Sequence, residues 1–328
     1  MSGGAGAAAI PRPGAKFGNR VAFGLALLDE GRRNERIVAL NADLSGSTKT
    51  STFAKEFPHR FFNAGVAECN MMGMAAGLST TGRPVVASTF AVFATAQVLN
   101  VIRQSIAYPR NNVKIVATHA GITVGGDGAT HQICEDIALM RVLPHLRVYV
   151  PADAQQTYQV ILHVLRTDGP AYVRMGRIDT PVIFDHDYRY VPDRVEVLAD
   201  GDDVTLACCG LLVEEGRKAV TLLADSGISA QLLNVHTIKP LDVAGIESAA
   251  RRTGRVVSAE EHVVAGGLGS AIAETLAQRY PTPQRFIGLR DHFGESGEPS
   301  DLMVAFHLTA ADIATSASAL VAERDART

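Results

Sequence analysis

Cysteine is scarce in this chain of 328 residues, and its four copies have no spacing typical of a metal or redox site. Cys69 and Cys134 stand alone, and no CxxC pair is present. Cys208 and Cys209 are adjacent within an apolar run, which predicts that both are buried strand residues. The cysteines therefore predict neither zinc binding nor an oxidising compartment.

Long apolar runs are also missing. The most apolar long window, residues 85–102, is interrupted by serine, threonine, glutamine and asparagine and is not predicted to span a membrane. Residues 1–16 lack the charged and apolar regions of a signal peptide, and their small side chains predict a flexible lead-in. These features predict a cytoplasmic protein that does not bind a membrane.

Neither sign of charge dominates the sequence. Lysine and arginine number 31, aspartate and glutamate number 34, and the formal net charge is -3. Proteins that bind the phosphate backbone of nucleic acids are usually basic on at least one face, so no nucleic-acid partner is predicted. An anionic substrate would have to be held by a local group of basic side chains.

Amphipathic stretches alternate with short apolar runs along most of the chain. This alternation predicts an α/β fold in which helices cover both faces of a parallel sheet. Proline, aspartate and tyrosine interrupt the alternation after Ile178, and a second α/β block follows. We predict a flexible N-terminus at 1–16, a first domain at 17–180, a linker at 181–201 and a second domain at 202–328.

The glycine-rich loop at residues 266–269 resembles a phosphate-binding motif only in part. It follows a predicted strand and opens a helix, but Ile272 replaces the third glycine of a dinucleotide fingerprint. Close passage of strand and helix is the favoured interpretation, with phosphate binding as the alternative. The run Asp185-His186-Asp187 is predicted to be a solvated part of the linker, and not a metal site.

Short motifs recur in a fixed order along both blocks, among them Gly-Val-Ala-Glu ending at Glu68 and Glu-Glu-His ending at His262. Together they resemble the pyrimidine-binding and C-terminal domains of transketolase over residues 17–325. The resemblance implies two parallel-sheet α/β domains. The motifs that carry it lie at residues 41–47, 65–68, 88–93, 118–119, 126–132, 169–170, 260–262, 266–269 and 293–297.

The resemblance implies half of a thiamine-diphosphate site and transfer of a two-carbon ketol unit from a ketose or ketose phosphate to an aldose. A full transketolase also has a pyrophosphate domain, in which Gly-Asp-Gly and a downstream asparagine hold Mg²⁺. Here residues 126–128 are Gly-Asp-Gly, but residues 129–180 contain no asparagine. The chain therefore resembles split transketolases, whose partner, the N-terminal-section subunit, binds the Mg²⁺. Two-fold pairing then predicts an α2β2 heterotetramer.

The resemblance assigns cofactor contacts to three residues. Glu68 is implied to hydrogen-bond the ring nitrogen N1′ of the cofactor's pyrimidine, which activates the cofactor. The alternative is a plain carboxylate at a helix N-terminus, facing solvent. Phe90 and Phe93 are implied to form an aromatic floor under that ring from one face of a helix over residues 90–107. By themselves, two such aromatic residues more often belong to a hydrophobic core.

The sugar is implied to lie against the loop that follows a predicted strand at 113–118, because parallel sheets bind ligands at the carboxyl ends of their strands. Asp127 would hydrogen-bond a sugar hydroxyl, His131 would contact the ketose end and His119 would help to hold the sugar phosphate. Structural histidines are the alternative for the last two. Arg177 and Ser47 are also implied to bind the phosphate.

Two interpretations remain open for each of Asp43 and Arg174. Asp43 is implied to belong to the cofactor shell on the dimer side, and a turn-forming aspartate is the rival interpretation. Arg174 could bind phosphate in place of Arg177 or cap the linker. His262 is predicted to serve structure or an interface.

Four positions depart from the family pattern in this region: Cys69, Ala96, Gln97 and Gly126. They make the identity of the substrate less certain than that of the cofactor and are compatible with an enzyme of secondary metabolism. Two other functions remain as alternatives. One is the beta subunit of a 2-oxoacid dehydrogenase, and the other is a non-catalytic scaffold subunit.

Overall fold

The computed structural model describes residues 5–325, and within that range the strands account for two main sheets and one small one. The strands are β1 Lys16–Gly18, β2 Val38–Asn41, β3 Phe61–Asn63, β4 Val85–Ser88, β5 Val113–Ala117, β6 Arg147–Tyr149, β7 Ala171–Arg174, β8 Asp179–Pro181, β9 Glu196–Ala199, β10 Val204–Cys208, β11 Ala230–Asn234, β12 Thr237–Lys239, β13 Val256–Val263 and β14 Gln284–Leu289.

Helices separate most of these strands, as the alternating sequence pattern predicts. They are α1 Ala5–Ala9, α2 Asn19–Arg33, α3 Ser45–Thr48, α4 Ser51–Glu56, α5 Glu68–Ser79, α6 Ala91–Ala94, α7 Leu99–Val101, α8 Asp136–Arg141, α9 Ala154–Arg166, α10 Leu212–Asp225, α11 Val243–Thr253, α12 Leu268–Arg279, α13 Pro299–Ala305 and α14 Ala310–Asp325. Short 3₁₀ turns cover Pro58–Arg60, Ala96–Val98 and Ile122–Asp127, and a π-helical turn covers Ile102–Ala107.

Each main sheet is mostly parallel. The first has the strand order β12-β6-β7-β5-β4-β2-β3, and only β12 runs antiparallel to its neighbour. The second has the order β14-β13-β10-β11-β9, with β9 antiparallel. Every residue of β2, β4, β5, β7, β10 and β11 is buried, as expected of strands covered by helices on both faces. The predicted fold class is confirmed.

The predicted flexible lead-in is wrong for residues 5–16. Helix α1 packs on α2, where the Gly6 amide donates to the Asp29 carboxylate at 2.8 Å. Ile10 lies in the core and is 1% exposed, and β1 pairs with β8. One buried isoleucine and one capping carboxylate are enough to hold this segment, although its composition resembles that of a flexible chain. Residues 1–4, also part of that prediction, lie outside the described range.

The predicted linker contains structure that belongs to both domains. Strand β9 pairs with β11, so the second sheet starts at Glu196 and not after residue 201. At the other end of the linker, the backbone amides of Ile183 and Phe184 donate to the Asp153 carboxylate at 2.7 and 2.9 Å. Because β12 also pairs with β6 of the first sheet, the two domains share strands as well as side-chain contacts.

One helical stretch of the described chain, Pro299–Glu323, is apolar and long enough to cross a membrane by those two criteria alone. It consists of α13 and α14, separated by residues 306–309. Buried residues from both helices, Leu302, Ile313, Ala317 and Leu320, belong to the core of the second domain. This packing buries part of the stretch, 33% of its most apolar window.

His236 lies at the junction of the two domains, next to β12. Its ring is fully buried and packs against Tyr190 with 4.8 Å between the ring centroids. Burial lowers the pKa of His236 to about 4, so the folded chain keeps this imidazole neutral at pH values where the unfolded chain, with a histidine pKa of about 6.5, takes up a proton.

We therefore expect the free energy of unfolding to fall as the pH drops from about 6.5 to about 4, by up to about 1.4 kcal/mol per pH unit from His236. Chemical denaturation of wild type and His236→Gln at pH 7 and pH 5 measures this slope, which should be shallower in the variant. His186→Gln, at an exposed linker position, is the control and should keep the wild-type slope. Equal slopes in all three proteins would contradict the assignment.

Candidate active site

The residues that the sequence analysis singled out lie around the carboxyl ends of four neighbouring strands. Asp43 follows β2, Glu68 follows β3, Phe90 follows β4 and His119 follows β5. Arg177 follows β7, the next strand in the sheet. Because these strands are parallel, their carboxyl ends share one edge of the sheet, which is where α/β proteins bind ligands.

Four aromatic rings form a continuous row in this region. The rings of Phe90 and Phe93 are 6.1 Å apart and inclined by 14°, and the ring of His119 stacks on Phe90 at 3.7 Å. His131 meets the other end of the row, edge-on to Phe93 at 5.6 Å. Phe90 is 8% exposed, whereas Phe93 is half-buried. A flat ligand would therefore reach Phe93 more readily than Phe90.

The single helix predicted over residues 90–107 is wrong. Phe90 has extended backbone angles and caps α6, and Thr95, with φ -128° and ψ -79°, ends that helix after Ala94. The Thr95 hydroxyl donates to the Ala91 carbonyl oxygen at 2.7 Å, which satisfies an acceptor at the break. Three short turns follow. The two phenyl rings therefore stack across one short helix, with Phe90 at its cap and Phe93 within it.

Glu68 is the first residue of α5, and it is 5% exposed. No group among residues 5–325 forms a hydrogen bond or an ion pair with its carboxylate. Most of the side chain is covered, and the cofactor contact and the plain helix carboxylate both stay predictions. The N-terminus of the helix favours the charged form of this carboxylate. Such a residue is suited to accept a hydrogen bond from a ligand.

A basic cluster lies beside the aromatic row and consists of Arg20, His119 and Arg177. Arg20 donates to the Ser47 carbonyl oxygen at 3.1 Å, and Arg177 donates to the Val124 carbonyl oxygen. Within the described chain neither guanidinium has a carboxylate within 4.0 Å, and the buried Nε of Arg20 has no hydrogen-bond partner. The positive charge of the cluster is therefore not paired by a carboxylate of the described chain, and the cluster could bind an anion.

The electrostatics of the cluster agree with this geometry. Burial, together with the positive charges of Arg20 and Arg177, lowers the pKa of His119 to about 3, so the imidazole is neutral. Burial also lowers the pKa of Arg20, while Asp179 raises it and Arg177 lowers it. Arg20 was missed by the sequence analysis, because the second residue of a helix carries no signal of a contact with a strand end far along the chain.

The remaining predicted site residues differ in their surroundings. Asp127 is exposed at the end of the 3₁₀ turn, and His131 is half-buried with Nδ1 at 3.0 Å from the Thr130 hydroxyl. Asp43 has a positive φ of 62° and bonds Asn63 through both its amide and its carboxylate. The turn-forming interpretation of Asp43 therefore has structural support.

Three further sequence interpretations can be compared with the structure. Glu260 accepts the amides of Leu268 and Gly269 at 2.7 and 2.8 Å, so a carboxylate already occupies the N-terminus of α12 and the phosphate-binding alternative for that loop is wrong. Arg174 is buried against Asp136 at 2.8 Å and is not a second phosphate ligand. His262 accepts the Ala138 amide at 3.3 Å across the domain boundary.

Residues 5–325 contain no candidate metal centre. No group of three or more histidine, cysteine, aspartate or glutamate side chains there could hold a metal ion. All four cysteines are free, and only Cys69 is exposed. Cys208 ends the buried strand β10 and Cys209 is buried directly after it, as predicted.

Each of the two domains matches a known family model. The family model described as the transketolase pyrimidine-binding domain matches residues 15–182, more than half of the chain. The chain belongs to the transketolase family. The model described as the transketolase C-terminal domain matches residues 193–313, so this transketolase-family chain has the second domain as well.

Three individual matches extend over most of this transketolase-family chain. A protein of Methanocaldococcus jannaschii, named as a candidate transketolase C-terminal section, is 46% identical over 90% of this chain and 94% of its own length. The 6-deoxy-6-sulfo-D-fructose transketolase subunit SqwH of Clostridium sp. is 39% identical over 92% and 94%. A solved structure titled "Split gene transketolase, inactive beta4 tetramer" is 48% identical, with a TM-score of 0.88 over 93% of this chain and 99% of that one.

Proposed function

We propose that this chain is one subunit of a split, thiamine-diphosphate-dependent transketolase that moves a two-carbon ketol unit from a ketose to an aldose. The observation that carries this proposal is Glu68, a largely buried carboxylate with no hydrogen-bond partner among residues 5–325, which lies at the same edge of the sheet as the aromatic row and the basic cluster. The family membership of the chain and the subunit names of its relatives support it.

The residues present fit the pyrimidine half of the cofactor. Glu68 would accept a hydrogen bond from its ring nitrogen, and the half-buried Phe93 would pack against the ring, with Phe90 behind it. An aromatic pair of this kind contributes about 0.5–1.5 kcal/mol beyond burial. When bound, thiamine diphosphate supplies a carbon that takes up the electrons released by cleavage of the ketose. The chain's own residues would bind and orient the substrate beside that carbon and would exchange protons with it.

The substrate would extend from the aromatic row to the basic cluster. His131 and Asp127 lie on the loop beside Phe93 and would contact sugar hydroxyls, with the neutral His119 able to donate or accept one hydrogen bond. Arg20 and Arg177 would bind an anionic group at the far end of the sugar. Phosphate and sulfonate share that chemistry, and the name of the clostridial relative contains a 6-sulfo sugar. Ser47, whose carbonyl oxygen contacts Arg20, lies at the same end.

The other half of the site would come from a second subunit that carries the pyrophosphate domain and binds Mg²⁺. We propose an α2β2 heterotetramer with that subunit. The predicted cytoplasmic location, the absence of membrane and nucleic-acid partners and a role in carbohydrate or secondary metabolism also stay predictions.

Two other functions compete with this proposal. The beta subunit of a 2-oxoacid dehydrogenase would share both domains, but the basic cluster next to sugar-type side chains favours an anionic ketose. A non-catalytic scaffold would have no need of an unpaired buried carboxylate, which is costly to keep.

The experiment compares the purified chain with the complex that a tagged chain captures when it is co-expressed with its pyrophosphate-domain subunit. We expect cleavage of xylulose 5-phosphate in the presence of an aldose acceptor only by the complex, and only with thiamine diphosphate and Mg²⁺. A 2-oxoacid with an electron acceptor is the control substrate and should not react. Turnover by the chain alone, or turnover that survives removal of the cofactor, would contradict the proposal.

A further inference from the structure

The loop of residues 119–132, here called the site loop, carries His119, Asp127 and His131. Three of its glycines, Gly121, Gly125 and Gly128, have φ of 81°, 80° and 74°. Other residues rarely adopt this conformation, so the path of the loop is set by its backbone. A backbone of this kind needs external hydrogen bonds to hold one geometry, and two of them come from the second domain.

Glu261 of β13 reaches from the second domain into the site loop. It is 3% exposed, and its carboxylate accepts the Thr123 amide at 2.7 Å. Its carboxyl group also fills the space beside Gly121, where a Cβ would overlap it. The backbone of Glu261 is held in turn, since Arg174 donates to its carbonyl oxygen at 2.8 Å. The carboxylate therefore fixes both the position and the hydrogen bonding of the first turn of the loop.

A second contact holds the far end of the same loop. Gln132 donates through Nε2 to the Glu295 carbonyl oxygen at 2.8 Å and to the Ile122 carbonyl oxygen at 3.0 Å. Gly128 packs so closely on Ser296 that a Cβ there would overlap its hydroxyl. The segment 293–297 and Glu261 thus contact the site loop from different parts of the second domain.

The charge of Glu261 does not help the fold. Burial raises its pKa to about 7, while Arg174 and the Thr123 hydrogen bond lower it and Asp136 raises it. Cys134, which also faces it, has a pKa raised by burial and stays neutral. A group whose pKa is raised in the folded chain makes the fold less stable as the pH rises toward that pKa. An apolar or neutral side chain of similar size should therefore be tolerated or even stabilising at pH 8.

We propose that Glu261 is a positioning residue: through the Thr123 amide it holds the site loop in the arrangement that brings His119, Asp127 and His131 to the substrate. The second domain then sets the geometry of this chain's part of the active site, whose side chains all belong to the first domain. The inference about the substrate rests on the proposed function, whereas the coupling between Glu261 and the loop does not.

The test uses Glu261→Met, which keeps the length of the side chain but not the acceptor, and Glu261→Gln, which keeps an oxygen for the Thr123 amide. Hydrogen exchange of the full chain at pH 8 is the first readout. Losing this bond should speed exchange of the site loop by about 10-fold to 100-fold in the Met variant, with the Gln variant within about 3-fold of wild type. Neither variant should unfold more easily at pH 8 than wild type.

Glu260→Met is the matched control, because Glu260 is equally buried on the same strand but bonds Leu268 and Gly269 of its own domain. It should speed exchange at residues 267–270 and leave the site loop unchanged. If Glu261→Met fails to fold, Glu261→Asp, with its shorter reach, serves instead and should loosen the loop to a smaller extent.

The second readout is ketol transfer by the assembled complex. Misplacement of substrate-positioning groups should lower kcat/KM about 10-fold or more in Glu261→Met, and Gln should restore most of it. A loop that exchanges at the wild-type rate in Glu261→Met, or that loosens equally in Glu260→Met, would overturn the inference. If the loop responds as expected but the wild-type complex transfers no ketol unit, the proposed function fails and the positioning role stands.

Discussion

Glu68→Gln is expected to lower the kcat of the assembled complex by about 100-fold to 10,000-fold, the range for loss of a group that controls a proton in the reaction. The side chain is largely buried and has no hydrogen-bond partner in the described chain, as the proposed contact with the cofactor requires. An amide of the same shape can still form a hydrogen bond but carries no charge to favour the required protonation of the cofactor's pyrimidine. Steady-state kinetics of the complex at saturating cofactor measure the effect.

Glu68→Gln should have little effect on the stability of the fold. A carboxylate in the first turn of a helix contributes about 0.3–1 kcal/mol, and relief from burying an unpaired charge works in the opposite direction. We therefore expect the free energy of unfolding to change by less than about 1 kcal/mol. Glu214→Gln is the control, because Glu214 also lies in the first turn of a helix but pairs with Arg217 at the surface. Full activity of Glu68→Gln would favour the scaffold alternative.

Arg20→Gln is expected to raise the KM for a phosphorylated or sulfonated ketose by about 10-fold to 150-fold. This is the effect of losing one hydrogen bond to a charged group, worth about 1.5–3 kcal/mol. In the described chain the half-buried Arg20 has no carboxylate within 4.0 Å, which leaves its guanidinium available to an anion beside Arg177. The KM for an uncharged ketose should stay within about 2-fold of wild type, because that substrate has no group for the cluster to bind.

Comparing the KM for charged and uncharged ketoses shows whether Arg20 binds the anionic group or only maintains the local structure. Arg20 also holds the Ser47 carbonyl oxygen, so a general disturbance would weaken both substrates equally. Arg189→Gln is the matched control, since Arg189 is exposed and contacts only the Tyr188 carbonyl oxygen, at 3.5 Å. An equal rise in KM for both kinds of ketose in Arg20→Gln would show that the cluster is structural.

Much of the fold and of the candidate site could be predicted from the sequence, because the decisive signals are local. Buried parallel strands appear in the sequence as short apolar runs, and the strand predicted at 113–118 corresponds to β5 Val113–Ala117. Glu68, Phe90 and His119 each stand just after a strand, so their meeting at one sheet edge follows from parallel pairing alone. Their detailed roles in binding stay predictions.

The sequence-based predictions that were wrong or absent have a common cause, which is contacts between distant parts of the chain. Ile10 and Asp29 order a segment whose composition predicts flexibility. Thr95 breaks a helix that its flanking residues favour, through backbone angles that no local rule assigns to threonine. Arg20 and Glu261 meet the site from 27 and 138 residues away in sequence. Neither position has a local pattern that sets it apart from an ordinary helix or strand residue.

The sequence by itself determined that this chain is an α/β protein with two domains, and its motifs were enough to indicate the family, because periodicity and motif order need no knowledge of packing. Only the tertiary structure decided which charges are left without partners. Whether Glu68 is buried, whether Arg20 faces an anion site and whether Glu261 reaches the site loop all depend on the surroundings of each group. Desolvation and hydrogen bonding act through space, and the order of residues does not reveal them.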